Sequence, residues 1–448
     1  MIGVLRLPDE VRFGAGVRVG IAETVLRFGP RVFVVADPFL ATTPEFDETV
    51  SALRAAGAEV LVHTDVPPEL PVGVVEEAGR TAAAFAPDVI LGYGGGSALD
   101  AAKLIAVVIA HGTPLARFYG ENAVPGPVLP IVAVPTTAGT GSEVTPVAVI
   151  SDPQRELKVG VSSPYLIPRA AFVDPDLTIG APRGVTVASG IDAFVHAVES
   201  YTAGVLELSL DAVLPVFTGR NVLTEPFSLE AAGLLFRALP RVVADPTDRE
   251  ARADMALGSL LAGIAFGSTG THLSHAIQYP VGAMTKTPHG LGTGALLPYV
   301  LQALRPAIDD RLIAIGRAIG VLDDGTAGTR ASGRPASGRP ASGRPASGLP
   351  ASGVEAQRVV DAVAELCAGI GLPVALSEIG VTEDDIARVT DLTLDVGRLV
   401  AISPRRADRP FIEGIVAAAV AGDRARLVPP VDTAASTADP ARESGENR

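Results

Sequence analysis

Histidines and an aspartate occur at spacings that can build a metal site. Asp192 and His196 lie four residues apart in a segment with helical periodicity, so both side chains are expected on one helix face. Three of the six histidines, His272, His275 and His289, fall in one short stretch. One carboxylate and two or three imidazoles suit Fe²⁺ or Zn²⁺, whereas Ca²⁺ and Mg²⁺ prefer oxygen ligands. A lone histidine is more often a hydrogen-bonded core residue, but the whole set predicts a metal site.

A glycine-rich loop separates the predicted strand Val89–Leu91 from the predicted helix Ala98–Ala110. Backbone N–H groups at a helix N-terminus, left open by glycines, can bind a phosphate or pyrophosphate. A tight turn between strand and helix is the alternative interpretation, and the loop does not match the usual G-x-G-x-x-G fingerprint. The candidate phosphate-binding residues are Gly94, Gly95, Gly96 and Ser97.

A second loop, Pro135–Ser142, follows the predicted strand Ile131–Val134 and supplies several hydroxyl groups, including that of Thr140. The carboxyl ends of neighbouring parallel strands face one crevice, which is where open α/β sheets bind ligands. The two loops therefore predict a dinucleotide site in that crevice.

Asp37 directly follows a third predicted strand, Val32–Ala36. A carboxylate there can accept both hydroxyls of an adenosine ribose and repel a 2′-phosphate, which favours NAD over NADP. An Asx turn or an N-cap beside Pro38 is an equally good explanation from local sequence.

The elements that must position these residues change character along the chain. Up to about residue 176, short β-branched runs alternate with Ala-rich helical stretches, which predicts an α/β dinucleotide-binding domain with a parallel sheet over residues 1–180. Beyond residue 184 the pattern is helical, which predicts an all-α metal-binding domain over residues 181–430. The further predicted strands are Val60–His63, Val147–Ile150 and Ala171–Val173, and the predicted helices are Gly190–Ala203, Leu229–Val242, Ala251–Ala265 and Leu291–Leu304.

Two segments lack the composition of a packed element. Residues 331–353 carry an Ala-Ser-Gly-Arg-Pro repeat, which predicts a flexible inserted loop. Its three arginines are more typical of a solvated tract than of a binding site. Residues 431–448 are polar and predict a disordered tail.

The 448 residues carry a formal net charge of −14, which argues against a nucleic-acid groove or an anionic membrane surface as the partner. Small molecules or proteins remain as the expected partners. No stretch is long and apolar enough for a membrane span, and the first residues do not resemble an export signal, so we expect a cytoplasmic protein. The single cysteine, Cys367, excludes an intramolecular disulfide and a cysteine-based zinc cage.

These motifs together resemble the iron-containing (group III) alcohol dehydrogenases over nearly the whole chain. The resemblance implies a metal held by Asp192, His196, His275 and His289. It also implies NAD(P) phosphates on the first loop and a homo-oligomer, a dimer or larger. The matching segments are Gly94–Ser97 with Asp100 and Lys103, Pro135–Glu143, Gly190–Glu199, and His275 with Pro288–Gly290. The resemblance places those phosphates on Gly95, Gly96 and Ser97, with Thr136, Thr137 and Ser142 lining the cofactor cleft and Lys158 nearby. The full set of candidate cofactor residues also includes Asp37, Gly94, Asp100 and Thr140.

The chain also departs from the family pattern. Tyr279 stands where many members have a histidine, so a proton relay there must differ or use the phenol. The connection Gly204–Ser228 is longer than usual and, with Tyr279-Pro280, resembles the hydroxyacid–oxoacid transhydrogenase branch.

The resulting hypothesis is reversible, metal-dependent hydride transfer between NAD and a small primary alcohol or hydroxy acid, with an aldehyde or semialdehyde as the product. Fe²⁺ is the expected metal and Zn²⁺ the alternative. A transhydrogenase that keeps NAD bound is the second hypothesis. A lyase resembling dehydroquinate synthase and a non-enzymatic binding module are more remote, because the Gly190–Glu199 and Pro288–Gly290 motifs fit the dehydrogenases better.

Overall fold

The computed structural model describes residues 2–323 and 351–428. Its first 180 residues alternate strands and helices. The strands are β1 (Glu10–Phe13), β2 (Arg31–Ala36), β3 (Glu59–His63), β4 (Val89–Gly94), β5 (Gly120–Glu121), β6 (Ile131–Pro135), β7 (Val147–Ile150), β8 (Val159–Ser162) and β9 (Ala170–Val173). The helices of this half are α1 (Ile21–Leu26), α2 (Pro44–Ala55), α3 (Val72–Phe85) and α4 (Gly96–His111).

Six strands form a sheet in the order β1-β9-β6-β4-β2-β3, and every pairing in it is parallel. Side chains alternate between its two faces. Phe33 and Val35 pack with α3 and α4 on one face, whereas Val32 and Val34 pack with α1 and α2 on the other. Because both faces of the sheet are covered, the sequences of the central strands are continuously apolar and do not alternate between apolar and polar residues. The parallel α/β half predicted from the sequence is confirmed.

The strand predicted at Val147–Ile150 is confirmed with the same bounds, but the expectation that it belongs to the main parallel sheet was wrong. This strand forms a separate three-stranded sheet in the order β5-β8-β7 and pairs antiparallel with β8. Strand length and β-branched residues predict an extended segment, but they carry no information on the pairing partner. The strands β1, β5 and β8 were not predicted at all, because they are short and contain glycine or charged residues.

From Arg183 onward the described chain is helical, as the sequence predicts, with a single isolated bridge between Val205 and Gly219. Helix α5 lies at the centre of this half, packs against α6, α7 and α9, and is buried on every face from Gly190 to Thr202. The helices are α5 (Arg183–Thr202), α6 (Glu225–Ala244), α7 (Arg249–Thr269), α8 (Leu273–Thr285), α9 (His289–Ala318), α10 (Ala351–Gly369), α11 (Ile386–Asp395), α12 (Gly397–Ala401) and α13 (Arg409–Ala421).

Two segment boundaries differ from the prediction. The last three residues of the expected loop, Ala351–Gly353, belong to α10, and Arg305 Nη2 donates a hydrogen bond to the Gly353 carbonyl. The apolar helix that follows extends back into the repeat, and local composition alone did not show this. The long connection ends at Thr224, because Glu225–Ser228 already form the first turn of α6. The remainder of the repeat and the predicted tail lie outside the described residues.

None of the helices within residues 2–323 and 351–428 is both long and apolar enough to cross a membrane.

Candidate metal and cofactor site

Three helices of the second half bring the four predicted metal ligands together. Ligand atoms of Asp192, His196 and His275 all lie within 4.8 Å of one another, and all three residues are buried. His289 Nε2 lies 3.9 Å from Asp192 Oδ1, and its side chain is 40% exposed. The buried trio and the accessible fourth residue form a site that opens to one side.

The hydrogen bonds around the cluster leave lone pairs free for a metal. His275 Nδ1 lies 2.7 Å from Glu199 Oε2, so Nδ1 carries the proton and the lone pair is on Nε2. Nε2 of His275 and Nδ1 of His196 are buried without a hydrogen-bond partner among the described residues. Buried polar atoms without partners are costly, and a cation in the cluster would satisfy His275 Nε2, which lies 3.7 Å from Asp192 Oδ1. His196 presents its other nitrogen, Nε2, to Asp192 at 3.9 Å. The donor set of one carboxylate and three imidazoles therefore fits Fe²⁺ or Zn²⁺.

The electrostatics of the site keep its groups in the protonation states that bind metal. Burial lowers the pKa of His196 to about 4, so its imidazole is neutral at neutral pH. Burial alone would raise the pKa of Asp192, but the three imidazoles and a hydrogen bond from Thr293 lower it. Thr293 Oγ1 donates to Asp192 Oδ1 at 2.9 Å. A neutral His196 imidazole and an ionised Asp192 carboxylate are thus present before any metal binds.

A glycine allows the fourth histidine to reach the site. His289 is the first residue of α9, and Gly290 follows it. A Cβ on Gly290 would overlap the carbonyl oxygen of Ala188 on α5 and come within 2.9 Å of Asp192 Cβ. The missing side chain therefore lets α9 pack closely against α5, which explains the Pro-His-Gly motif in structural terms.

The two predicted phosphate loops lie side by side. Thr136 N donates to the Gly94 carbonyl oxygen at 3.0 Å, and a Cβ on Gly95 would contact Thr137 at 3.5 Å. The first loop leads into α4, for which Gly95 is the N-cap, so the first N–H groups of that helix face the loop.

One cleft is lined by the predicted metal ligands and by part of the predicted cofactor site. Gly141, at φ +60°, approaches the backbone of Gly263 on α7 so closely that a Cβ would lie 2.6 Å from Gly263 Cα. This contact attaches the second loop to the helical half. The predicted cofactor residues that line the cleft are Gly96, Ser97, Asp100, Thr140, Ser142 and Lys158, and all four metal ligands line it as well.

Three of the predicted cofactor residues also have structural roles of their own, and their contact with NAD stays a prediction. Asp100 accepts hydrogen bonds from Ser142 Oγ at 2.6 Å and from Val149 N at 2.9 Å, so it holds the second loop against α4. Lys158 Nζ pairs with Glu69 Oε1 at 3.0 Å. Asp37 Oδ1 accepts from Leu40 N at 2.9 Å, which is the local cap foreseen as an alternative, while its second oxygen remains available.

Three residues of the site were missed from the sequence or given no role. Glu199 accepts hydrogen bonds from His272 N and Ser274 N as well as from His275, so one carboxylate caps α8 and orients a metal ligand. Phe266 stacks on His196 at 4.1 Å between ring centroids. Thr293, whose hydroxyl donates to Asp192, is the third of these residues. A hydrogen-bonding carboxylate near a histidine ligand is a common feature, but the sequence does not reveal the distance.

His272, part of the predicted histidine cluster, does not join the metal ligands, because both of its ring nitrogens face other groups. Its Nε2 is 2.9 Å from Thr202 Oγ1, and its Nδ1 is 3.3 Å from Glu199 Oε1. It is a buried, hydrogen-bonded histidine, as proposed above for a lone residue. His63 and His111 lie away from the cleft and bind backbone carbonyls of Asp65 and Gly126.

A parallel-sheet nucleotide domain that opens onto a histidine–aspartate cluster defines a class of metal-dependent, dinucleotide-binding proteins. Two family models match the chain: "Iron-containing alcohol dehydrogenase" over residues 8–175 and "Fe-containing alcohol dehydrogenase family, C-terminal" over residues 186–336. The chain belongs to the iron-containing alcohol dehydrogenase family and is an oxidoreductase of that family.

Individual relatives agree with this assignment. Long-chain-alcohol dehydrogenase 1 of Geobacillus thermodenitrificans is 34% identical over 93% of this chain and 96% of its own. The mitochondrial hydroxyacid-oxoacid transhydrogenase of Caenorhabditis elegans is 29% identical over 90% of this chain and 87% of its own. The crystal structure of sulfoacetaldehyde reductase from Bifidobacterium kashiwanohense in complex with NAD⁺ is similar with a TM-score of 0.78, at 26% identity over 94% of this chain and 100% of that chain.

Gly96→Ala is expected to weaken NAD binding about tenfold without changing the metal content. A Cβ there would lie 2.7 Å from Thr140 Cγ2 and crowd the N–H groups that face the phosphate, each of which is worth ~1.5–3 kcal/mol toward a charged group. Fluorescence titration with NADH measures the effect. Gly73→Ala, where a Cβ would meet nothing within 4 Å, is the matched control. Unchanged NADH affinity in Gly96→Ala would contradict the phosphate site.

Proposed function

We propose that this enzyme transfers hydride reversibly between NAD and a small primary alcohol or hydroxy acid, with iron as its metal. The observation that carries the proposal is the shared cleft: Asp192, His196, His275 and His289 line the same cavity as Gly96 and the loop around it. In the net reaction the alcohol carbon loses hydride to the nicotinamide and the hydroxyl loses a proton, which yields aldehyde, NADH and H⁺.

The four ligands would hold a divalent cation that, when bound, acts as a Lewis acid on the alcohol oxygen and makes its proton easier to lose. The residues around them prepare the site. Glu199 keeps the lone pair of His275 directed into the cluster, and Thr293 orients Asp192. The loop at Gly96 places the cofactor phosphates, which in turn sets where the nicotinamide lies relative to the substrate carbon.

Apolar side chains form much of the cleft wall beside the ligands. Phe266 covers one face of His196, and Val147, Val149 and Phe217 line the cavity. These groups keep water from competing with the hydroxyl substrate. Tyr279, whose ring lies 5.9 Å from that of His289, has a pKa raised by burial, so its phenol stays protonated and is suited to donate a hydrogen bond to a ligand rather than to act as a base.

The decisive experiment for this function is an NADH-coupled screen. Protein is reconstituted anaerobically with Fe²⁺ or Zn²⁺, and short alcohols, diols and ω-hydroxy acids are tested in both directions. NAD-dependent oxidation with the iron-loaded protein exceeding the zinc-loaded protein is expected. Tight NAD and metal binding without turnover of any alcohol or aldehyde would overturn the proposal.

A transhydrogenase is the second candidate, and the long connection, together with the 29% identical transhydrogenase relative, favours it. Such an enzyme passes hydride from a hydroxy acid to an oxo acid through NAD that never leaves. Turnover with NAD present only in an amount equal to the enzyme, once an oxo acid is added, would identify it. A requirement for excess NAD identifies the dehydrogenase.

Asp37→Ser is expected to erode the preference for NAD over NADP by at least about tenfold, because a carboxylate close to the 2′-phosphate costs several kcal/mol by like-charge repulsion. The ratio of kcat/KM for the two cofactors measures this preference. Asp47→Ser, an exposed position in the first turn of α2, is the control. Equal use of both cofactors by the wild type would refute the role of Asp37.

A further inference from the structure

Arg398 brings a guanidinium group into the wall of the metal cleft. It lies on the short helix α12 and lines the cavity together with Tyr279 and His289. Its Cζ sits 4.3 Å from the centroid of the Phe217 ring, so the planar group is stacked and its orientation is restricted. Phe217 belongs to the long connection between α5 and α6, which gives that segment a role in the cleft.

Phe217, which supports the guanidinium, packs against the segment that leads to His275. A Cβ on Gly270 would lie 3.2 Å from Phe217 Cβ, and Gly270 directly follows α7, on the segment that leads into the His275 helix. The phosphate loop at Gly96 belongs to α4, in the other half of the molecule. Arg398 shares the cleft wall with Tyr279, whose ring lies 5.9 Å from that of His289.

The charge of Arg398 is poorly compensated. Among the described residues, the carboxylate within 4 Å of it is that of Glu121, whose Oε1 is 3.9 Å from Arg398 Nε, too far for a hydrogen bond. The other oxygen of Glu121 accepts from the backbone N–H groups of Val216, at 2.7 Å, and Phe217, at 3.4 Å. Lys158, the other cation that lines the cleft, is by contrast paired with Glu69 at 3.0 Å.

Arg398 keeps its charge despite its surroundings. Its side chain is 29% exposed, and burial lowers its pKa from the ordinary value of 12.5. A guanidinium remains protonated in proteins, so the cleft holds a cation whose nearest carboxylate in the described part of the chain is beyond hydrogen-bond range. A partly desolvated cation without a hydrogen-bonded partner is unfavourable, and an anionic ligand removes that cost.

We propose that Arg398 binds the carboxylate of the substrate and that the preferred substrates are hydroxy acids and their semialdehydes rather than simple alcohols or diols. The proposal rests on the proposed function, because it assigns the substrate class of the same cleft. The planar donor fork of arginine pairs with both oxygens of a carboxylate, which an uncharged hydroxyl cannot reproduce. A site built to pair a charge discriminates strongly against analogues that lack it.

The test compares 4-hydroxybutyrate with 1,4-butanediol, which has the same chain length and no charge. Arg398→Met keeps much of the apolar stem on Phe217 and removes the donors. It is expected to lower kcat/KM for 4-hydroxybutyrate by about 10- to 100-fold, mainly through KM, and to change that for the diol by less than about threefold. Arg398→Lys keeps the charge without the fork and should fall between the two. Arg80→Met, an exposed arginine on α3, is the matched control.

A binding measurement separates this proposal from the proposed function. Butyrate carries the carboxylate and no hydroxyl, and calorimetric titration of the iron-loaded protein should show binding that Arg398→Met weakens at least about tenfold. Equal losses for acid and diol, a changed NADH affinity, or butyrate binding that is unaffected by the substitution would overturn the role of Arg398. Failure of the wild type to oxidise any alcohol would overturn the proposed function, and the butyrate titration would still decide the anion site.

Discussion

His275→Ala is expected to abolish turnover, with a loss on the order of 1,000-fold or more, and to leave NADH affinity unchanged. Lewis-acid activation of the alcohol contributes several kcal/mol, and each 1.36 kcal/mol is a factor of ten in rate. His275 contributes one of three ligand atoms that lie within 4.8 Å of one another, and its free Nε2 has no other partner in the described part of the chain. Metal analysis, steady-state kinetics and NADH titration on the same sample measure the three quantities.

The control for this prediction is His63→Ala, which removes a histidine outside the cleft that contacts the Asp65 carbonyl and stacks on Phe33. His289→Ala should behave like His275→Ala in turnover, but with a smaller loss of metal because His289 is the accessible ligand. Full activity in a His275→Ala protein that contains no metal would refute the mechanism. Loss of NADH binding in parallel with the metal would mean that the loops and the ligands are not independent.

Glu199→Gln is expected to lower metal affinity about 10- to 100-fold and to destabilise the fold by about 1–3 kcal/mol. The carboxylate accepts three hydrogen bonds, from His272 N, Ser274 N and His275 Nδ1. In glutamine an NH₂ group replaces one of the carboxylate oxygens. This NH₂ group faces one of the three N–H donors and cannot accept a hydrogen bond from it, so one hydrogen bond is lost in a fully buried position. The lost negative charge also makes His275 a weaker ligand, which is why metal affinity and stability should fall together.

Metal titration and denaturant unfolding of the metal-free protein separate the two effects. Unfolding without metal reports only the lost hydrogen bonds, whereas the additional loss in affinity reports the orientation of His275. Glu230→Gln, an exposed glutamate on α6, should change neither. Wild-type metal affinity in Glu199→Gln would show that His275 is positioned by the helix alone.

Local signals in the sequence were sufficient for the fold class and for the expectation that Asp192 and His196 share one helix face. The β-branched runs and glycine loops predicted the parallel sheet, and most predicted strands and helices differ from those of the structure by a few residues at their ends. Asp192 and His196 were assigned together because a four-residue separation on a helix is itself a three-dimensional constraint. His275 and His289 were chosen over His272 by family resemblance. The structure agrees with that choice, because His272 Nε2 is hydrogen-bonded to Thr202 Oγ1.

Only the tertiary structure decided which distant residues share a site, because side-chain contacts across the chain leave no local pattern. Glu199 and Thr293 orient the ligands from positions that any buried helix can occupy, and the pairing of β7 with β8 depends on a partner that propensity cannot identify. Arg398 lies some 180 residues beyond Phe217 in the printed sequence, and nothing near it distinguishes it from a surface arginine. Its place in the wall of the cleft that the metal ligands also line follows from the packing of α12 against Phe217, which is a property of the folded molecule alone.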